Sequence, residues 1–427
     1  MIGEIAEFVA LMRRRRWSAE QTRAHRDERI RALVAHAYEN VPYYRRMMDA
    51  RGLKPEQIRS ARDLEALPVT RKQDLRAAGA DCVDPRATDL YRAATSGSSG
   101  DPFEQTLTQA EYRRRRLREF RSLIGVGVGP LDRLVVLGPI RTRPRRMHRS
   151  LGLYQLDVIP FDARPEEQAR RIGQARPDVL WIYPTVLKQV LSHTGGRLSE
   201  LARPGLLITS SQVMDSPFRQ QLLDDLPGAR MAELYGSAEA GRIAAGCRED
   251  DGLHLEDDAV HVELLEGGRP VEVGEEGTTV ITCLDQFAMP LIRYEQGDRC
   301  RMRPGRCRCG RSSPVMDSPL GRCADMITLP SGRRLSALAF DAVVRRVPGL
   351  VQYRFVQRRR DRLEAQFCFQ TPPAAGVLEE IAGRVREVLR EGVEVTVGLF
   401  GVEEIRGPKF KSVVSMLEGE EAGPGPG

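Results

Sequence analysis

Apolar residues recur along this chain at two different periods, which predict helices in some segments and strands in others. Ile30, Leu33, Val34 and Ala37 have the spacing of one face of a helix, so the N-terminal region is predicted to be helical. Farther along, the apolar runs DRLVVLG, DVLWIYP and GLLITSS are predicted to be buried strands, with PEEQARRIGQ and SPFRQQLLDDL as helices between them. This alternation indicates an α/β fold whose ligands lie beyond the carboxyl ends of the strands.

The pattern changes twice in the second half of the chain. Residues 251–303 contain the strand-like pieces HVELLE, TTVITCL and MPLIRY between turns rich in Gly and Glu, which indicates a β-rich subdomain. After that, the predicted strands YRFVQRR, RLEAQFCFQ and VEVTVGLF, with one amphipathic helix among them, indicate a compact α+β module. We therefore predict a large N-terminal domain (1–321), a small C-terminal domain (322–417) and a disordered tail (418–427).

Composition narrows the class of protein. The 427 residues exceed the size at which single cores stop growing, about 250–300 residues, so at least two domains are expected. No apolar run approaches the roughly 20 residues that span a bilayer. The start of the chain has acidic residues before its apolar part and basic residues after it, the reverse of a secretory signal. We expect a cytoplasmic protein without a membrane partner, in which eight cysteines do not form a disulfide framework.

The basic residues raise one alternative function. The net charge is +7, and the runs Arg13–Arg16 and Arg113–Arg116 could bind nucleic acid. We interpret the runs as solvated helix faces, because no aromatic residues interleave with them. A modest positive excess also suits an enzyme that handles anionic nucleotides. We therefore expect no nucleic-acid partner, and keep a nucleotide-dependent nucleic-acid-binding protein as a remote alternative.

The stretch TSGSSGDPF, residues 95–103, has the composition of a phosphate-binding loop. Backbone N–H groups of small residues can surround an anion, and hydroxyls add donors. The stretch lacks the ending of a Walker loop, so it also fits a plain surface turn. Four further stretches carry candidate chemistry: ELYGSAEAG (233–241), PLIRYEQGDRC (290–300), GRCAD (321–325) and GPKFKSVV (407–414).

In this order and spacing, these motifs resemble the adenylate-forming superfamily of acyl- and aryl-coenzyme A ligases, and within it the phenylacetate–coenzyme A ligase branch. The N-terminal stretches HAYENVPYYRR and LEALPVTRKQDLR add to the resemblance, which covers roughly residues 28 to 415. It implies that ATP activates a carboxylic acid, expected to be aromatic, as its adenylate with release of pyrophosphate. Coenzyme A is the implied acceptor of the acyl group; an amine or a carrier protein is the alternative. A homodimer is one option for the assembly.

The resemblance implies an ATP site built from separate segments of the chain. The loop expected at the β- and γ-phosphates comprises Thr95, Ser96, Gly97, Ser98, Ser99 and Gly100. Tyr235 is expected at the adenine, followed by Gly236 and Ser237 in the same turn. From the sheet topology, the acid pocket is placed near Tyr183, Pro184 and that turn.

The resemblance also assigns the charged groups. Glu239 is expected to bind Mg²⁺, Asp298 the ribose hydroxyls, and Arg322 the ribose and phosphate. Lys409 is expected to join the α-phosphate to the acyl carboxylate, with Lys411 as its competitor. These charges suit the chemistry, because an anionic carboxylate must attack an anionic phosphate.

Two positions depart from the pattern of the family. Ala324 stands at the pivot position before the C-terminal domain, where relatives often have Asp. Gln212 stands where relatives often have an acidic residue, and we assign it no catalytic role.

A group of cysteines predicts a structural zinc ion. The four proposed ligands are Cys247, Cys300, Cys307 and Cys309. Thiolates suit zinc, and four of them close a structural site without an open position for water. His254 and Cys323 are alternative fourth ligands, and a set of unligated thiols is the alternative to any metal site.

Lys409→Ala is expected to lower adenylate formation about 10²–10³-fold and to leave ATP binding nearly intact, because a charge contact made in the transition state is lost. ATP–pyrophosphate exchange measures the effect, and Lys411→Ala is the matched comparison. Exchange that survives in Lys409→Ala and is lost in Lys411→Ala would show that the assignment is wrong.

Overall fold

The computed structural model describes residues 2–94, 103–138, 153–249, 252–344, 347, 349–401, 404–405 and 410–417. The chain divides into two compact units, each built from two stretches of sequence. The first comprises Met1–Gly127 and Glu233–Pro319, and the second Val128–Ala232 and Leu320–Gly427. The predicted tail lies outside the described residues. The predicted boundary at residue 321 stays a prediction.

Helices dominate the N-terminal part of the first unit. They are Ile2–Arg14, Ala19–Asn40, Pro42–Asp49, Lys72–Ala78 and Gln109–Val126, with 3₁₀ turns at Pro55–Gln57, Arg62–Ala66 and Gly79–Cys82. Ser18 caps the second helix: its side chain accepts a hydrogen bond from the N–H of Gln21, and the Gln21 side chain accepts one from the N–H of Ser18. As the sequence predicted, its face from Ile30 to Ala37 is buried.

The rest of the first unit is β-rich, as predicted for residues 251–303. One antiparallel group contains Val260–Glu266, Arg269–Pro270, Glu276–Cys283 and Tyr294–Arg301. A second antiparallel group contains the end of Arg230–Ser237 with Gly241–Ala245, Leu253–Leu255 and Val315–Met316. The strands Leu90–Ala94 and Glu104–Thr108 form a separate pair.

The prediction of a strand at MPLIRY was wrong. The strand begins at Tyr294, after the apolar run rather than within it. Pro290 has no N–H to contribute to a ladder, and Arg293 has a φ of 47°, which a strand does not accommodate. The apolar residues of this run are instead buried as an irregular segment: Met289, Leu291 and Ile292.

The first half of the second unit is the predicted α/β sheet. Four parallel strands stand in the order Gln155–Ile159, Arg133–Leu137, Val179–Ile182 and Leu206–Ser210. The helices are Pro165–Ala175, Pro184–His193 and Ser216–Asp225, with a 3₁₀ turn at Leu198–Glu200. The strands Val179–Ile182 and Leu206–Ser210 are almost completely buried, which explains their continuous apolar sequence.

The C-terminal half of the second unit is the predicted α+β module. Its sheet has the order Glu394–Leu399, Arg362–Phe369, Leu350–Arg359 and Val413–Ser415, covered by the helix Val377–Leu389. Smaller elements precede it: Gly321–Arg322, Cys323–Asp325, Ile327–Thr328, Arg334–Leu335, Ala337–Phe340 and Asp341–Val344. Phe340, Phe355 and Phe367 centre a core made of residues of this module. A core of its own supports the prediction of a separate domain.

Polar contacts join the two halves of the second unit. The Lys188 ammonium lies 2.7 Å from a carboxylate oxygen of Asp215 and donates to the side chain of Gln352 at 3.3 Å. Asp341 accepts from both the N–H and the hydroxyl of Ser216. None of the helices in the described part of the chain combines the length and apolar character needed to cross a bilayer.

Candidate functional site

The turn that carries Tyr235 and Glu239 connects two antiparallel strands of the first unit. The strands contain an irregularity directly after Tyr235. A Cβ on Gly236 would lie 2.2 Å from the carbonyl oxygen of Gly241, so only glycine fits there. The N–H of Ala240 donates to the Ser237 hydroxyl at 3.1 Å and closes the turn. The sequence around Tyr235 therefore builds a tight turn with a fixed backbone.

Arg115 holds this turn through hydrogen bonds to its backbone. Its guanidinium donates to the carbonyl oxygens of Ser237, at 3.1 Å, and Ala238. The Arg115 side chain is buried, with 7% of its surface exposed. The sequence had placed the run Arg113–Arg116 on a solvated helix face. The interpretation of Arg113–Arg116 as wholly solvated was wrong at this position, because Gly241 has no side chain and leaves room for the arginine.

Tyr235 and Asp298 lie together, as their predicted roles require. The Tyr235 hydroxyl donates to Asp298 Oδ2 at 2.8 Å. Burial raises the pKa of Tyr235 well above its usual value, so the hydroxyl keeps its proton and remains the donor. Asp298 is carried by the strand Tyr294–Arg301, and the bond therefore joins the turn to that strand.

Glu239 has three neighbours within the first unit. The Tyr294 hydroxyl lies 3.5 Å from its Oε1 and the Lys72 ammonium 3.8 Å from the same oxygen. Gln286 donates to its backbone carbonyl at 3.2 Å. The carboxylate is 12% exposed. Mg²⁺ is bound in proteins through one or two carboxylates together with phosphate oxygens and water, and a single accessible carboxylate fits that pattern.

Tyr183 and Pro184 lie in the second unit, directly after the strand Val179–Ile182. The Ser211 hydroxyl is 3.4 Å from the Tyr183 hydroxyl, at the end of the neighbouring parallel strand. Both residues therefore stand at the carboxyl ends of parallel strands, where ligands of such sheets bind. Gln212 bonds to the backbone N–H and the hydroxyl of Thr185, so its side chain caps a helix.

The remaining predicted residues are located as follows. Arg322 lies on the short strand Gly321–Arg322 of the second unit and is exposed. The Lys411 ammonium is 2.7 Å from a carboxylate oxygen of Asp325. The loop Thr95–Gly100 and Lys409 lie outside the described residues.

A cluster of sulfur and nitrogen ligands forms near the end of the first unit. Its members are Cys247, His254, Cys307 and Cys309, whose ligand atoms all lie within 4.8 Å of one another. Cys247 and Cys307 have their sulfurs 3.6 Å apart, and Cys309 Sγ is 3.4 Å from His254 Nε2. Ser313 lies 3.0 Å from His254 Nδ1, so the other ring nitrogen faces the thiols.

The cluster corrects the predicted set of ligands. Cys300 was expected among them, but it is fully buried on the strand Tyr294–Arg301, in the hydrophobic core beside Tyr235 and Met316. His254, which the sequence left as an alternative ligand, lies with Cys247, Cys307 and Cys309 instead. Burial raises the pKa of the Cys307 thiol to about 12, so a bound cation would have to displace its proton.

Comparison with known proteins decides the family. No protein-family model matches the chain. A phenylacetate–coenzyme A ligase of Thermus thermophilus is 30% identical over 366 residues, which are 81% of this chain and 80% of that protein. The protein of the same name from Escherichia coli is 29% identical over 336 residues, 73% of this chain and 74% of its own. The chain belongs to the phenylacetate–coenzyme A ligase family.

Solved structures show that this ligase shares its fold with other adenylate-forming enzymes. A 2-hydroxyisobutyryl-CoA ligase in its postadenylation state matches with a TM-score of 0.79 at 23% identity, covering 96% of this chain and 92% of that one. An anthranilate CoA ligase bound to anthranoyl-AMP matches with a TM-score of 0.55 at 13% identity, covering 75% of this chain and 64% of that one. The expected fold class is thereby confirmed.

Sequence reasoning missed the neighbours of Glu239 in this ligase. Lys72, Tyr294 and Gln286 come from three distant segments, and none has a local pattern that singles it out. Lys72 stands within the stretch LEALPVTRKQDLR, which contributed to the family resemblance without a role for any of its residues. Only the tertiary contact with Glu239 gives Lys72 a candidate role.

Proposed function

We propose that this member of the family joins an aromatic carboxylic acid to coenzyme A at the expense of ATP. The observation that carries the proposal is the grouping of Tyr235, Asp298 and Glu239 around one turn in a chain of this family. The names of the curated relatives, phenylacetate–coenzyme A ligases, support an aryl acid as substrate and coenzyme A as acceptor. An amine or a carrier protein is the alternative acceptor.

The proposed reaction has two steps. A carboxylate oxygen of the acid attacks the α-phosphorus of ATP, the bond to pyrophosphate breaks, and an acyl-adenylate results. The coenzyme A sulfur then attacks the acyl carbon, loses its proton, and AMP leaves with the electron pair. In the first step Glu239 would hold Mg²⁺, which neutralises phosphate charge when it is bound. Asp298 would accept hydrogen bonds from the ribose hydroxyls, and the loop Thr95–Gly100 would bind the β- and γ-phosphates.

Lys409 is the proposed cation at the α-phosphate and the acyl carboxylate. The position of Lys411 supports this choice, because its ammonium is already paired with Asp325. Arg322, exposed on its strand, is the proposed contact of the ribose and phosphate. Tyr183 and Pro184, which follow the strand Val179–Ile182, are proposed to contact the acid. A cytoplasmic location, a mobile C-terminal domain and a homodimer stay predictions.

The nucleic-acid alternative receives less support from the structure. Three arginines of the helix Gln109–Val126 direct their charge into the first unit. Arg115 binds backbone carbonyls, Arg118 binds Asp285, and Arg121 binds Asp258. Guanidinium groups committed to internal partners cannot also contact a phosphate backbone. The ligase proposal accounts for Arg115 as a support of the turn that carries Tyr235.

The direct test is ATP–pyrophosphate exchange with a panel of aryl and aliphatic acids, followed by thioester formation with coenzyme A. We expect exchange with an aryl acid, and formation of a thioester when coenzyme A is added. Exchange without a thioester, together with an amide or a carrier-bound product, would favour the alternative acceptor. The absence of exchange with every acid would contradict the proposal.

Glu239→Gln is expected to lower magnesium-dependent turnover about 10²–10³-fold, because the neutral amide loses the charge that attracts Mg²⁺. Stability should change by no more than about 1 kcal/mol, since the pair with Lys72 is partly exposed. Turnover across a magnesium titration and thermal unfolding measure the two effects. Glu272→Gln, at an exposed surface position, is the control. A magnesium dependence equal to that of the wild type would refute the role of Glu239.

We further propose that one structural Zn²⁺ is held by Cys247, His254, Cys307 and Cys309. The mutual distances support this set, and so does Ser313, which orients the imidazole as partners of metal-bound histidines do. Three thiolates and one imidazole close a tetrahedral shell. The ion would fix the segment after the Tyr235 turn to the loop that carries Cys307 and Cys309.

Elemental analysis of protein produced with zinc supplied should give one equivalent per chain. Cys307→Ser and His254→Ala should each lower the zinc content and the melting temperature, because an incomplete shell binds zinc more weakly. Cys300→Ser should keep its zinc, since that thiol lies in the hydrophobic core. Wild-type protein that is fully active with little zinc would argue against the site. Loss of zinc in Cys300→Ser but not in His254→Ala would restore the four-cysteine set.

A further inference from the structure

Lys72 is the nearest described cation to the proposed magnesium ligand. Its ammonium lies 3.8 Å from Glu239 Oε1, and the two side chains are 30% and 12% exposed. The same ammonium lies 5.6 Å from the centre of the Phe103 ring. Phe103 follows the proposed phosphate loop, which ends at Gly100, in the sequence. Lys72 therefore lies close to both Glu239 and Phe103, the first described residue after that loop in the sequence.

Backbone hydrogen bonds fix the position of Lys72. The N–H of Thr70 donates to the carbonyl of Arg293 at 2.8 Å, and the N–H of Glu295 donates to the carbonyl of Thr70 at 2.9 Å. The segment before Lys72 is thus held beside Tyr294, whose hydroxyl also contacts Glu239. The lysine and the tyrosine thus reach the same carboxylate from two segments that are joined by backbone hydrogen bonds.

The charge balance at this place changes when a nucleotide binds. In the structure, Lys72 neutralises Glu239, and their partly exposed pair adds little to stability. A magnesium nucleotide brings a cation for Glu239 and several phosphate negative charges. Glu239 then has the metal as its partner, and Lys72 is left beside phosphate oxygens. An ammonium is a strong donor to phosphate, because both partners of the bond are charged.

We propose that Lys72 binds the β- and γ-phosphates of ATP, and pyrophosphate after the first step. This inference rests on the proposed function and deepens it. Lys72 exchanges one anionic partner, the Glu239 carboxylate, for another, a phosphate oxygen. Because Phe103 follows the proposed phosphate loop in the sequence, we assign Lys72 to the β,γ end of the triphosphate and leave the α-phosphate to Lys409. Lys72 thus strengthens the binding of ATP and slows the release of pyrophosphate.

Calorimetric titrations with Mg·ATP, Mg·pyrophosphate and AMP test the inference. Lys72→Ala should bind Mg·ATP and Mg·pyrophosphate about tenfold more weakly, which is the loss of one charge-assisted hydrogen bond, and AMP as the wild type does. Lys72→Arg should keep most of the affinity, because it keeps the charge. Lys54→Ala removes an exposed lysine that pairs with Asp49, and is the matched control.

Mn²⁺ titration in the absence of nucleotide gives a second readout. Lys72→Ala should bind Mn²⁺ several-fold more tightly than the wild type, because a positive charge beside Glu239 is removed. A purely structural role of Lys72 would weaken both the metal and the nucleotide. The opposite signs of the two effects therefore identify a charge that changes partners.

The outcomes separate this inference from the proposed function. Equal affinity of Lys72→Ala and the wild type for Mg·ATP would overturn the inference alone, provided that the wild type exchanges pyrophosphate. Equal weakening of AMP and ATP, or weaker Mn²⁺ binding, would also overturn it. A wild-type protein that neither binds Mg·ATP nor exchanges pyrophosphate would overturn both the inference and the proposed function.

Discussion

Three buried arginines on the helix Gln109–Val126 bind partners within the first unit, among them the turn that carries Tyr235. Burying an unpaired cation costs several kcal/mol of folding free energy, so each of these side chains needs an acceptor or an anion beside it. Arg121 lies between Glu256 and Asp258, at 2.7 Å from the latter. Burial alone would raise the pKa of Asp258, but Arg121 brings it to about 2, so the carboxylate is charged at neutral pH. Arg118 and Arg115 continue the same face toward Asp285 and the turn at Ser237.

The turn that carries Tyr235 is therefore fixed from two sides. Arg115 holds its backbone carbonyls, and the absence of a side chain at Gly241 gives the arginine room. On the other side, Tyr235 bonds to Asp298 on the strand Tyr294–Arg301. The proposed acceptors and ligands of the nucleotide thus belong to elements whose positions are set by buried contacts. Such preorganisation suits a reaction that depends on the alignment of two anions.

The Glu239 carboxylate takes part in two proposals, as the ligand of Mg²⁺ and as the partner of Lys72 before a nucleotide binds. Tyr294 and Lys72 reach it from two segments that the Thr70 hydrogen bonds join, and Gln286 donates to its backbone carbonyl. The cysteine and histidine cluster lies farther along the chain and would act by holding the loop after the turn. The contacts of Glu239 are those whose charged partners would change when a magnesium nucleotide binds. The cysteine and histidine cluster would keep the same geometry with and without the nucleotide.

The sequence by itself determined the classes of element and most of the candidate chemistry. Local periodicity gave the α/β sheet, the β-rich segment and the C-terminal module, because burial imposes a repeat that can be counted. It failed at MPLIRY, where an apolar run is buried without being a strand. The ordered motifs identified Tyr235, Glu239 and Asp298, which the tertiary structure brings together. The spacing of residues in the sequence could not show whether Cys300 or His254 lies beside the other cysteines. It also could not show that Lys72 lies beside Glu239, or that Arg115 is buried. Those outcomes depend on contacts between distant segments, which only the packing of the folded chain decides.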